Sequence, residues 1–169
     1  MKMLTRTTAL VGAAGLAATG LVVTASPASA DHLFVIRVTE VQTDYDDDFT
    51  GMPEEGDSFS WTANLRQDGK RVGKDVGTCE FRNFIGDDDD PDEAVLRCVV
   101  RYQFFNTGTI RAAGKVRVDW DDLVDSDFTA KLPVRSGTGD FDDADGTVTN
   151  RQVSDEKARL IFRLTGVDH

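Results

Sequence analysis

Histidine is almost absent from this chain: of 169 residues only His32 and His169 are histidines. An imidazole-activated nucleophile and a histidine-based zinc site therefore have nothing to draw on in the middle of the sequence. Cysteine is equally sparse, with Cys79 and Cys98 alone. There is no serine nucleophile elbow and no glycine-rich phosphate-cradling loop. No long hydrophobic run follows residue 30, no stretch carries helical periodicity, and no internal repeat is visible. Positive charge is also in short supply. Nineteen Lys and Arg face 30 Asp and Glu, for a net charge of −11. Such a surface repels nucleic acid and anionic lipid, which removes both from the expected partners.

The first thirty residues read as a removable export signal. Lys2 and Arg6 form a positive start, residues 7–23 are uncharged and rich in Ala, Leu, Val and Gly, and Ser26-Pro27-Ala28-Ser29-Ala30 ends in an Ala-x-Ala pattern ahead of Asp31. The segment holds no Cys for a lipid anchor, and the C-terminal end carries no hydrophobic tail. Cleavage after Ala30 would leave one domain, residues 31–169. Losing Lys2 and Arg6 leaves 17 basic residues against 30 acidic ones, a net charge of −13. The expectation is a secreted, acidic, single-domain protein with no membrane contact after cleavage. An even cysteine count in an exported chain reads as a disulfide, Cys79–Cys98.

What is present is alternation. In Phe59-Ser60-Trp61-Thr62-Ala63-Asn64-Leu65 every odd position is apolar and every even one polar. Leu96, Cys98, Val100, Tyr102 and Phe104 repeat the pattern, as do Ile110 to Val118, Phe128 to Val134 and Leu160 to Leu164. Eight strands are expected, near 32–42, 57–66, 71–83, 94–104, 108–119, 128–135, 145–152 and 157–165. Hairpin-sized connections such as Asp68-Gly69 make sequence neighbours sheet neighbours. Eight such strands, each apolar on one face, close most naturally into an all-β, antiparallel, up-and-down barrel; a sandwich is the alternative. On the third strand Gly73, Asp75, Gly77, Cys79, Phe81 and Asn83 are expected to face inward. If Cys79 opposes Cys98, Phe81 falls opposite Leu96, so register and disulfide agree.

Two acidic clusters, Asp44 to Asp48 and Asp87 to Glu93, lack the Gly and Glu spacing of a calcium loop and are expected to be solvated loops, with no metal bound. A third segment, Gly137-Thr138-Gly139-Asp140-Phe141-Asp142-Asp143-Ala144-Asp145-Gly146, is more informative. Phe141 and Ala144 are spaced for one helical turn that would plug a barrel end, leaving the aspartates in water. This segment resembles the Gly-Thr-Gly-x-[Phe/Tyr]-x-x-Ala-x-Gly signature of the allene oxide cyclase-like and dirigent-like barrels. Gly69 to Gly73, Gly77-Thr78-Cys79, and Phe104 to Gly114 are similar to further pieces of the secreted bacterial members, so the resemblance covers roughly residues 56 to 165.

The resemblance implies an eight-stranded barrel around a mainly apolar cavity, and no cofactor. Its members include plant cyclases acting on oxidised fatty acids, proteins that steer phenoxy-radical coupling, and bacterial barrels that close polyketide rings. Their main contribution is to hold a flexible apolar substrate in one reactive conformation. It implies a small lipophilic partner here, and a cofactor-free isomerase or cyclase or else a carrier or structural barrel. No functional residue of the family is carried over to a position of this chain. From the residues alone, the polar groups on inward faces are Glu40, Asp75, Asn83 and Tyr102. Glu40, Asp75 and Tyr102 are the catalytic candidates, with Glu40 sharing its face with Phe34, Ile36 and Val38. Trp61, Asn83 and Phe104 are the ligand-binding candidates. Gly137, Thr138, Gly139, Phe141, Ala144 and Gly146 form the structural motif.

Overall fold

The structure, a computed structural model, describes residues 32–87 and 90–167. The expected export segment, Asp88, Asp89 and His169 lie outside the described residues. Eight antiparallel strands form a closed barrel in simple sequence order: β1 (Phe34–Asp47), β2 (Ser58–Gln67), β3 (Lys70–Asp87), β4 (Asp90–Phe104), β5 (Gly108–Asp119), β6 (Thr129–Gly139), β7 (Asp145–Ser154) and β8 (Lys157–Thr165). Pairing of β1 with β8, from Phe34 opposite Leu164 to Val41 opposite Lys157, closes the ring. Closure leaves no edge strand to template association. Asp68 and Gly69, with φ of 50° and 77°, make the two-residue turn between β2 and β3 that their sequence calls for.

The strands run further than the alternation indicated. Asp44 to Asp47 are the end of β1, and Asp87, Asp90, Asp92 and Glu93 lie in β3 and β4, so most of the two clusters is strand where loops were expected. Gly137 to Gly139 likewise belong to β6. One short helix is added, α1 (Trp120–Val124), where the Asp119 carboxylate caps the backbone N–H groups of Asp121 and Asp122.

The barrel has two unlike halves. The end carrying the β2–β3, β4–β5 and β6–β7 connections is solid. Phe104 packs on Phe141 and Phe162, with ring centroids 5.5 and 5.4 Å apart, among the fully buried Leu65, Ile110 and Leu164. Phe141 enters from a tight turn held by the Ala144 N–H on the Phe141 carbonyl and the Asp142 N–H on the Gly139 carbonyl. Gly137 is required beneath it, because a Cβ there would overlap the Phe141 backbone. Asp140, Asp142, Asp143 and Asp145 are all exposed, as expected.

The opposite end is open. Its connections, 48–57, 120–128 and 155–156, contain no Lys or Arg. They carry Asp48, Glu54, Glu55 and Asp57, then Asp121, Asp122, Asp125 and Asp127, then Asp155 and Glu156. Basic residues sit instead around the waist, on outward strand positions such as Lys74, Arg97, Arg101, Arg111, Lys115 and Arg117, all exposed.

Candidate functional site

The open half encloses a cavity of about 460 Å³. Its floor is laid by strand register. Asp75 on β3 faces Tyr102 on β4, and Tyr102 stands edge-on to Phe162 with centroids 4.9 Å apart, which seats it on the solid half. Glu40 comes from β1, between Leu65 of β2 and Ala158 of β8. Glu40 and Tyr102 line the cavity, whereas Asp75 lies behind them, 1% exposed. Trp61 faces Gly77 across β2 and β3, and its indole occupies the space a Cβ at Gly77 would take. That glycine is therefore a seat for an aromatic ring as well as a point of strand curvature.

The walls are aromatic. Tyr45, Phe59 and Trp61 stack at 6.0 Å spacings, and the series continues from Phe59 through Phe81 and Phe84 to Trp120 at 5.8, 5.4 and 5.8 Å. Phe49, Met52, Phe128 and residues of α1 complete the lining. The Cys79–Cys98 disulfide forms part of the wall; the two residues are a directly facing pair with Cα atoms 4.1 Å apart, as the register argument required.

Among these rings the polar groups are poorly matched. The Trp61 Nε1–H, both Asp75 oxygens and the Asn150 side-chain oxygen are buried with no hydrogen-bond partner in the structure. The Trp61 N–H lies near enough to both carboxyls to favour their charged forms slightly, yet it meets hydrogen-bond geometry with neither. Burial dominates. It raises Glu40 from 4.5 to about 7 and, together with the adjacent Glu40, raises Asp75 from 3.8 to about 8. Burial also raises Tyr102 well above its ordinary value, with Glu40 and Asp75 adding to the effect, so its hydroxyl stays neutral. The floor thus holds protons at neutral pH and can give or accept one at Glu40.

The sequence candidates divide cleanly. Glu40, Asp75, Tyr102 and Trp61 meet in one place. Asn83 does not join them: a bulge at Arg82 sets Phe81 opposite Leu96 but Asn83 opposite Val95, which flips the alternation, turns Asn83 to solvent and brings Phe84 inward. Phe104 is also removed from the ligand set, because it belongs to the solid half beneath the floor. Phe49, Phe59, Trp120, Phe128 and Asn150 line the cavity without having been singled out. Phe59 and Phe128 keep the parity of alternating runs and could have been found that way, whereas Phe49 and Trp120 belong to connections that alternation does not describe.

A closed eight-stranded barrel, blind at one end and holding at the other a cavity with aromatic walls and buried carboxyls at its floor, defines the class of fold. The chain belongs to the allene oxide cyclase barrel-like domain family, which it matches over residues 37–164. Solved structures similar to it include a pyocyanin demethylase at 22% identity and TM-score 0.63, covering 78% of this chain and 100% of that one. A Diels–Alderase from Streptomyces koyangensis is 18% identical with TM-score 0.61, covering 77% of this chain and 63% of that one. A pterocarpan synthase dirigent protein is 16% identical with TM-score 0.58, covering 85% and 96%. No curated protein sequence matches.

Proposed function

We propose that this is an exported barrel that binds a small lipophilic molecule and rearranges it without a cofactor, by proton transfer at Glu40. The observation that carries the reading is a buried carboxyl on the floor of an otherwise apolar cavity of about 460 Å³. The walls select one folded conformation of the ligand, which removes part of the entropic barrier to ring closure or isomerisation. Glu40, raised to about 7, is poised to act as acid or base near neutrality. Asp75 acts through Glu40: a second buried carboxyl disfavours double ionisation and keeps a proton on the floor. The Tyr102 hydroxyl supplies a neutral donor where negative charge develops on a ligand oxygen. The Diels–Alderase and pterocarpan synthase activities in the names of the similar structures support this class of chemistry, and the residue 1–30 pattern with the disulfide supports export.

Native mass spectrometry of the protein purified from its culture medium tests the reading, with the retained molecule identified and then offered to fresh protein. Conversion that Glu40→Gln abolishes while retaining binding supports catalysis. Binding without conversion in either form makes the barrel a carrier, and failure to retain or bind any small molecule rejects both.

A further inference from the structure

We propose that the molecule this cavity takes carries a positive charge: a lipophilic ammonium or protonated nitrogen heterocycle, an inference that rests on the small-molecule reading above and names its ligand class. Two separate features point to it. The first lies at the floor. Glu40 is 6% exposed and opens onto the cavity, Asp75 is buried behind it, and no Arg or Lys accompanies them there. Of the described residues lining the cavity only Lys157, next to Asp155 and Glu156 at the mouth, is basic. A buried carboxylate needs a counter-charge or a proton, and a ligand cation is the counter-charge that the fold omits. The surrounding Trp61, Phe59 and Phe81 faces suit the same ligand, since aromatic rings attract a desolvated cation through their negative faces.

The second feature is the route inward. The connections around the mouth are acidic and free of Lys and Arg, while exposed cations such as Lys74, Arg97, Arg101, Arg111 and Lys115 lie around the waist of the barrel. A low-dielectric opening rimmed by one sign of charge concentrates the opposite sign and speeds its entry. An anionic lipophile, such as a fatty-acid carboxylate, meets repulsion at the rim and finds no Arg or Lys at the floor to pair with. The carboxyls therefore act as a selectivity device as well as a proton store.

Four naphthylethyl compounds differing only in their terminal group separate the alternatives: trimethylammonium, primary ammonium, hydroxyl and carboxylate. Isothermal titration into the wild-type protein should rank the two ammonium compounds on the order of tenfold or more tighter than the alcohol, with the carboxylate weakest. Glu40→Gln should remove the ammonium advantage and leave the alcohol's affinity within about twofold, while the far-ultraviolet circular dichroism stays that of the barrel. Association of the trimethylammonium compound should slow as salt is raised. Equal affinity for ammonium and alcohol in the wild type overturns the proposal and leaves small-molecule binding intact. Preference for the carboxylate overturns it likewise. Failure of all four to bind sinks the charge proposal and the small-molecule reading together.

Discussion

Glu40 and Asp75 couple the floor of the cavity to the stability of the barrel. Both take up protons on folding, because burial lifts them from 4.5 and 3.8 to about 7 and about 8. A raised folded-state value has a definite sign. The contribution is complete below the unfolded carboxylate range near 4 and is lost as pH climbs through about 7 and 8, where the fold must hold ionised groups. Urea midpoints should therefore fall between about pH 5 and about pH 8.5, and Asp75→Asn should show a shallower fall over the same interval. Equal slopes in the two proteins would remove the floor from the pH response. At this scale the sequence was informative wherever strict alternation held. It sent Glu40, Asp75, Trp61 and Tyr102 inward because each keeps the parity of its apolar neighbours. It misplaced Asn83 because one extra residue, Arg82, breaks that parity, and nothing in the composition of Phe81-Arg82-Asn83-Phe84 marks a bulge.

Two elements hold the solid half and the wall together, and each has a separable cost. The Phe141 turn plugs the blind end with a ring that is 1% exposed, so Phe141→Ala should cost on the order of 3 kcal/mol in denaturant titration. Asp142, exposed on the same turn, should tolerate Asn within about 0.5 kcal/mol. A reversed ranking would make the turn a ligand loop instead of a plug. The β3–β4 hairpin is cross-linked by Cys79–Cys98, with a sequence separation of 19. Replacing both cysteines by Ala should cost roughly 3 kcal/mol on the chain-entropy account. Reductant should bring the wild type to the same midpoint and leave the double variant unmoved. These elements were legible because their signals are local: a spacing of three between Phe141 and Ala144, and two cysteines placed to face each other across one hairpin. The helix α1 and the Phe49 loop were not. Five helical residues carry too little periodicity to register, and the Asp119 cap that starts them lies in a run of aspartates where no single one stands out.

Taken whole, the molecule has acidic connections at its open end and many of its cations around the waist, with only two ion pairs among the described residues, Arg82–Glu80 and Arg117–Glu93. Few cations reach the acidic connections, so like-charge repulsion there is left to solvent and counterions. Raising sodium chloride from about 0.02 M to about 0.5 M should therefore raise the urea midpoint, because screening at the higher concentration acts within a few ångströms. A falling midpoint would mean that attraction between waist and ends outweighs that repulsion. The placement of the indoles has a practical consequence. The chain contains two tryptophans, and both line the same cavity, Trp61 beside the acidic floor and Trp120 on the helix at the mouth. The native ultraviolet emission of the protein therefore originates entirely from the walls of one chamber, at two depths. Replacing either indole by Phe isolates the other, so the unlabelled barrel can report when a guest enters and how far down it settles.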